Sequence, residues 1–203
     1  VFGLWFGKGP GVDRSGDALK HGNYAGSSKY GGVLALAGDD HAAKSSTTAH
    51  QSDHAFIHFG MPILNPATVQ DYIDFGLLGI AMSRYSGCWV GMKCITDTVE
   101  SAASVDIGLS RFTPKIPDYD LNDEDMHLQW GYIPAMSETR LYKKRLPAAQ
   151  AFAKVNSLDK VIFQGKKKLA IVTSGKAYLD VRQSLDELGL NEKVCSEIGI
   201  SLY

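Results

Sequence analysis

The stretch VLALAGDD, residues 33–40, indicates how the chain folds, because a short apolar run leads directly into glycine and two acidic residues. A strand that is apolar at every position is typical of a parallel sheet covered on both faces by helices. Three further runs of this kind lie at residues 1–6, 61–64 and 88–95. Residues 1–100 therefore predict an α/β fold, a parallel sheet flanked by helices.

The clearest helix lies between the last two of these runs. Apolar residues recur at helical spacing from Val69 to Ala81. Asn65 and Pro66 precede them and resemble a helix cap followed by proline in the first turn. We therefore predict that this helix begins near Asn65.

The pattern changes after about Ser104, where prolines, scattered aromatic residues and the acidic stretch 118–125 replace the regular alternation. We interpret residues 104–167 as a linker region that has room for one helix within 146–162. A new strand is predicted at 169–173, then a helix that Gly189 closes, then a strand starting at Ile200. The predicted organisation is a partial domain at 1–103, the linker, and the start of a second α/β domain at 168–203.

Composition excludes several classes of function. The chain has 21 Lys and Arg against 22 Asp and Glu, a formal net charge of −1, so no basic field attracts nucleic acid or an anionic membrane. No apolar run reaches the length of a membrane span, and the first residues lack the features of a signal peptide, so we expect a cytoplasmic protein. Three scattered cysteines favour neither disulfides nor an iron–sulfur or zinc site. Both ends fall within predicted strands, and we expect an internal piece of a longer protein.

The glycine-rich stretch GKGPGVDRSG, residues 7–16, lies between a predicted strand and a helix. Backbone N–H groups at such a position can hold a phosphate. The stretch matches neither the dinucleotide fingerprint nor the P-loop, because glycines and a Ser or Thr are missing at the required positions. A tight structural turn near an active site is the favoured interpretation, and a phosphate cradle is the alternative.

The polar loop 38–51 follows the buried strand 33–37. Ligands of open α/β sheets bind at the carboxyl ends of the strands, so polar side chains here are candidates for function. The alternative is a solvated loop whose Asp and Ser residues cap the next helix. We favour the functional interpretation and predict that six residues line a site: Asp39, Asp40, Lys44, Ser45, Ser46 and His50.

Two hypotheses of metal binding have less support than the site in the polar loop. Gly38, Asp39 and Asn65 are spaced roughly as in the Gly-Asp-Gly…Asn motif that holds thiamine diphosphate through Mg²⁺, but Asp40 stands where the motif has glycine. His50, His54 and His58 recur every four residues and would share one helix face, but no glutamate occupies the position that a zinc protease needs. We therefore predict no metal ligand in this chain.

Several longer strings resemble one enzyme family. They are GKGPGVDR (7–14), Lys20-His21, LAGDDHAAKSS (36–46), MSRYSGCW (82–89) and KCITDTVES (93–101). Together they are similar to the long, fused indolepyruvate ferredoxin oxidoreductases, which are thiamine-diphosphate-dependent 2-oxoacid:ferredoxin oxidoreductases. The resemblance covers nearly the whole chain.

This resemblance implies that residues 1–103 are part of the domain that binds the aminopyrimidine of thiamine diphosphate. Residues from Lys168 onward would open a transketolase C-terminal-like domain. In such enzymes the cofactor attacks the 2-oxoacid carbonyl, CO₂ leaves, iron–sulfur clusters pass electrons to ferredoxin, and coenzyme A accepts the acyl group. The implied partners are the remaining domains of the enzyme, ferredoxin, coenzyme A and a second subunit in a homodimer.

The family's activating glutamate, its diphosphate domain with Mg²⁺ and its cysteine clusters are not among these residues. We therefore expect thiamine diphosphate and Mg²⁺ to be shared with other domains, and the chain alone to be inactive. The string Thr48-Ala49-His50-Gln51 is similar to a substrate-facing loop of related domains. The resemblance thus implies cofactor binding by Asp39 and Asp40 and substrate binding by Lys44, Ser45, Ser46 and His50, with the lysine or histidine pairing with a substrate carboxylate. The rival hypothesis is a non-catalytic α/β module that binds a ligand or partner.

Overall fold

The computed structural model describes residues 1–108, 111–119, 126–129, 133–166 and 168–203. Residues 120–125, which are most of the acidic stretch 118–125, lie outside the described residues. So does Lys167. No helix in the described ranges is long and apolar enough to cross a membrane.

A four-stranded parallel sheet forms the centre of the first part of the chain. Its strands are β1 (Phe2–Lys8), β2 (Gly32–Asp39), β3 (Ile63–Leu64) and β4 (Val90–Ile95). Their order across the sheet is β1-β2-β4-β3, and every neighbouring pair runs parallel. The predicted parallel α/β fold is confirmed.

Helices cover both faces of this sheet, and one further helical turn, α5 (Thr96–Val99), follows β4. On one face, α1 (Gly9–Arg14), α2 (Gly16–Ala25) and α3 (Asp53–His58) supply Val12, Leu19 and Phe56 to a core that includes Ala35 and Ala37. On the other face, α4 (Val69–Ser86) and α7 (Leu146–Val155) pack against Leu34 and Val90. Alternate residues of β2 thus belong to two different cores, which explains why the strand is apolar at every position.

The predicted start of α4 is wrong by three residues. Thr68 is the N-cap, and its hydroxyl accepts from the Asp71 backbone while the Asp71 carboxylate accepts from the Thr68 backbone. Such a reciprocal pair satisfies two N–H groups that an isolated cap residue cannot satisfy together. Asn65 is instead available to the second part of the chain, and its amide donates to the Ser174 hydroxyl over 3.0 Å.

The predicted three-histidine helix face is also wrong. Helix α3 begins at Asp53, so His54 and His58 lie on it and His50 lies in the loop before it. In the loop, the His50 backbone N–H donates to the Asp40 carbonyl, which fixes the loop rather than extending the helix.

The predicted linker contains more packed structure than one helix. Helix α6 (Pro134–Arg140) passes through a π-helical turn (Leu141–Arg145) into α7. Leu141, Ala149 and Phe152 are buried in the same core as β2 and β4. The sequence pattern obscured this, because the continuous helical segment there contains a proline at 147. The domain boundaries themselves stay predictions.

Arg145, at the end of the π-helical turn, joins these helices to the first part of the chain. It is fully buried. Its guanidinium donates to the backbone carbonyls of Asn23, Tyr24, Ala25, Met126 and His127. Three of these carbonyls end α2, where a cation meets the negative end of the helix dipole.

The last residues form a second, smaller unit. Strands β5 (Leu169–Ile171) and β6 (Ile200–Leu202) pair in parallel, with α8 (Lys176–Glu187) and α9 (Glu192–Ile198) between them in the chain. Phe163, Leu185, Cys195 and Leu202 form its core. The predicted strand-helix-strand order is confirmed, and Gly189 follows α8 with a φ of 71°.

Candidate functional site

Three neighbouring strands of the first sheet end at the same edge. In register, Lys8 at the end of β1 lies beside Gly38, and Asp39 at the end of β2 lies beside Ile95 of β4. The segments that follow these strands therefore meet, and they carry the charged residues of three of the strings quoted above. This is the edge at which parallel α/β sheets bind ligands.

Asp40 shapes the loop that follows β2. Its carboxylate accepts hydrogen bonds from the backbone N–H groups of Lys44 and Ser45, each over 2.9 Å, and from the Ser45 hydroxyl over 3.3 Å. The Ser45 and Lys44 backbone bonds hold the pKa of the Asp40 carboxyl below its usual range. The carboxylate thus acts as the internal support of a tight turn across residues 40–45.

Asp39 supports the far end of the same loop. Its side chain is fully buried, and its two oxygens accept from the Ser52 backbone N–H over 2.9 Å and the Ser52 hydroxyl over 2.7 Å. Lys93 of β4 lies 4.0 Å from it and pairs more closely with Asp53, over 2.6 Å. A network of two carboxylates and one ammonium, buried at Asp39 and Lys93, therefore closes the base of the loop.

Lys44 projects toward the segment after β4. Its ammonium pairs with the Asp97 carboxylate over 3.1 Å, with both side chains about half exposed. This hydrogen bond raises the pKa of Lys44. A substrate carboxylate that pairs with Lys44 must therefore exchange places with Asp97 or join it.

His50 is held by α1. Its Nε2 lies 3.2 Å from a carboxylate oxygen of Asp13, and the histidine side chain is 17% exposed. Its Nδ1 and the Ser46 hydroxyl are buried, and neither has a hydrogen-bond partner among the described residues. The two side chains predicted to pair with a substrate carboxylate, Lys44 and His50, thus both face a carboxylate of this chain.

The structure places all six predicted residues in one segment, from Asp39 to His50. Sequence reasoning missed their partners Lys8, Asp13, Ser52, Lys93 and Asp97. Four of these stand in the quoted strings 7–14 and 93–101. The carboxyl-edge rule that singled out the loop after β2 would also have found Lys8 and Asp97, had it been applied to β1 and β4.

A cavity of about 880 Å³ lies between the two sheets. Its walls combine apolar residues of β3, α4 and α7 with the segment 172–175 of the second unit. None of the six predicted residues lines it, although Asp53, the partner of Lys93, does. The cavity is thus adjacent to the loop through the buried network and separate from its exposed face.

The residues of the Mg²⁺ hypothesis do not suit the ion. Both oxygens of Asp39 accept hydrogen bonds from Ser52, and Asn65 is bonded to Ser174. Within the described ranges, no three His, Cys, Asp or Glu side chains group as a metal site. The two cysteines nearest the sheet are poor ligands as well, because burial raises the pKa of Cys94 to about 11 and that of Cys88 to about 12.

Together these features define an α/β protein whose polar loop is fixed over the carboxyl edge of a parallel sheet, next to a smaller parallel sheet. Residues 159–203, which contain that smaller sheet, match the family model of the indolepyruvate ferredoxin oxidoreductase middle domain. The match confirms the resemblance predicted from the sequence and relates the chain to an oxidoreductase family. No curated protein matches the chain at significant similarity.

Proposed function

We propose that this chain is part of a thiamine-diphosphate-dependent indolepyruvate ferredoxin oxidoreductase and contributes the polar loop 38–51 to a pocket completed by other domains. The observation that carries the proposal is the convergence of that loop with the segments after β1 and β4 at the carboxyl edge of the sheet. The family match of residues 159–203 supports it independently, since it lies outside the loop.

In this proposal the six residues divide into two roles. The carboxylates of Asp39 and Asp40 bond within the loop and keep its shape, so they affect the cofactor through the surface that they hold in place. Lys44, Ser45, Ser46 and His50 face the substrate. Lys44 recognises the carboxylate of a 2-oxoacid by releasing Asp97, because an ammonium that is half exposed exchanges partners at little cost.

Thiamine diphosphate, when bound, supplies the carbanion chemistry that decarboxylates the 2-oxoacid. No residue of this chain is proposed as its Mg²⁺ ligand, because Asp39 and Asn65 are engaged elsewhere. The Mg²⁺ motif, the iron–sulfur clusters and the sites for ferredoxin and coenzyme A belong, in this proposal, to other domains of a cytoplasmic homodimer.

Calorimetric titration with thiamine diphosphate and Mg²⁺ tests the shared pocket. We expect binding by the complete parent enzyme and none by the 203-residue chain. Tight binding by this chain alone would show that it holds a whole site and would contradict the shared pocket.

Kinetics of the parent enzyme test the role of Lys44. We expect Lys44→Ala to raise KM for the 2-oxoacid and to leave cofactor affinity unchanged, because the lysine contacts substrate only. Lys154→Ala, an exposed lysine on α7, is the matched control and should change neither value. Equal KM values for both variants would remove Lys44 from the substrate site.

The rival function is a ligand- or partner-binding module without redox chemistry. The 880 Å³ cavity favours this alternative, because it lies within the usual size range of small-molecule sites. If substitutions throughout the polar loop 38–51 left the parent enzyme's turnover of 2-oxoacid unchanged, the result would favour the binding module.

A further inference from the structure

The ring of His50 contacts α1 along two of its edges. Its Nε2 faces the Asp13 carboxylate over 3.2 Å. Its other edge lies against Gly9, where even a Cβ atom would overlap the imidazole. The His50 backbone N–H is tied to the Asp40 carbonyl over 3.0 Å. Contacts with Asp13, Gly9 and Asp40 therefore fix both the position and the plane of the His50 ring.

The two ring nitrogens have opposite surroundings. A carboxylate only accepts hydrogen bonds, so the nitrogen that faces Asp13 must carry the proton for the contact to be a bond. The Nδ1 atom is buried, and within the described ranges it has no acceptor. A proton there would be a buried donor without a partner, which costs free energy. The surroundings of both nitrogens thus favour the neutral tautomer that carries its proton on Nε2.

We infer that Asp13 is the positioning residue of His50, and that its carboxylate fixes the imidazole in the Nε2–H tautomer with the Nδ1 lone pair directed at Gly9. Asp13 belongs to the string GKGPGVDR, to which the proposed function gives no role. Gly9–Arg14 of this string form α1 and not the predicted tight turn. The inference assigns these residues a purpose: Gly9 makes room for the ring and Asp13 orients it.

The consequence for recognition rests on the proposed function. The one N–H of this tautomer points at Asp13, whose side chain is 62% exposed, whereas His50 is only 17% exposed. A substrate carbonyl oxygen can therefore accept from Nε2–H by taking the place of the Asp13 carboxylate, along a direction that is already set. Lys44 is left to recognise the substrate carboxylate.

The tautomer is measurable without activity. In the 203-residue chain labelled with ¹⁵N-histidine, long-range ¹H–¹⁵N spectra distinguish a protonated from an unprotonated ring nitrogen. Loss of one signal set in His50→Gln assigns the resonances. We expect His50 to show a protonated Nε2 and an unprotonated Nδ1.

Three variants test the role of Asp13. Asp13→Ala should convert His50 into an exchanging mixture of tautomers, whereas Asp13→Asn should preserve the Nε2–H form, because its amide oxygen still accepts. Asp17→Ala is the matched control, since Asp17 makes the same kind of contact with His21, over 3.5 Å, on α2. It should leave His50 unchanged. Amide spectra of each variant verify the fold.

A proton on Nδ1 in the unmodified chain, or a His50 spectrum that Asp13→Ala leaves unaltered, would overturn the inference. Neither result would bear on whether the parent enzyme oxidises 2-oxoacids. Conversely, a parent enzyme without that activity would leave the tautomer measurement valid.

Discussion

The ammonium of Lys8 binds Ser45 twice, donating to its backbone carbonyl over 2.7 Å and to its hydroxyl over 3.0 Å. Lys8 is the last residue of β1, and Ser45 lies in the loop that follows β2. Lys8 of β1 thus holds the loop after β2 through Ser45, while Asp40 holds it through hydrogen bonds within the loop.

Removing this outer contact should loosen the loop without disturbing the sheet. Lys8→Met keeps most of the apolar stem of the side chain and deletes the donor. We expect faster hydrogen exchange at the Ser45 and Lys44 amides and unchanged exchange within β1 and β2, because local opening needs only the loop contacts to break. Lys29→Met, at another exposed lysine, is the control. Equal exchange in both variants would show that Lys8 does not hold the loop.

The loop should also open at acid pH. The hydrogen bonds from Ser45 and Lys44 hold the pKa of Asp40 below its ordinary value, so Asp40 stabilises the folded loop fully above about pH 4 and progressively less as the pH falls. Exchange at the Ser45 amide, measured from pH 6 down to pH 3 and corrected for the intrinsic rate, should rise below that point. Asp40→Asn should abolish the pH dependence. A persistent rise in Asp40→Asn would assign the effect to another carboxyl group.

The contact between the two sheets depends on Gly175. This residue has a φ of 58° and a ψ of −144°, a region essentially limited to glycine, and a Cβ atom there would overlap Asn65. We expect Gly175→Ala to lower the free energy of unfolding by about 1–3 kcal/mol from backbone strain alone.

A double-mutant cycle with Asn65→Ala separates strain from overlap in urea denaturation. Overlap would make the double variant more stable than the sum of the single changes predicts. Additive effects would assign the whole loss to the backbone.

Arg145 should be the most sensitive position in the helices after residue 133. Arg145→Met leaves several carbonyls buried without a donor, at about 1–3 kcal/mol for each one that water cannot reach, so a loss of about 3 kcal/mol or more is expected. Urea denaturation measures it. Lys154→Met on α7 should cost little. Similar losses in the two variants would show that water satisfies the carbonyls that Arg145 leaves.

Much of the fold follows from the spacing of apolar residues and from the residues that begin and end the helices. The apolar run of β2 predicted its burial on both faces, and the spacing from Val69 to Ala81 predicted α4. The reciprocal cap of Thr68 and Asp71 was missed because Asn65 and Pro66 offered a more familiar signal. The helix predicted within 146–162 corresponds to α7, but α6 and the π-helical turn before it were missed because their packing depends on Arg145, a residue that hydropathy assigns to solvent.

The site could be predicted only as a segment. Its position at the carboxyl edge follows from the rule for parallel sheets. The six residues fall together because they lie within twelve positions of the chain. The pairing of Lys44 with Asp97 and of His50 with Asp13 joins residues from different strands and helices. Such partners are set by the register of the sheet, and spacing along the chain does not reveal them.

Arg145 is synthesised long after the end of α2 that it contacts. The carbonyls of Asn23 and Tyr24 lie 122 and 121 positions before it in the chain. At ordinary translation speeds a ribosome needs roughly 6–24 s to make a stretch of about 120 residues. During that interval α2 has emerged without the cation that completes its end, and the apolar residues of β2 and β4 await α7. The nascent chain therefore passes through a period in which the end of α2 lacks its cation and the part of the sheet that α7 covers is exposed to solvent.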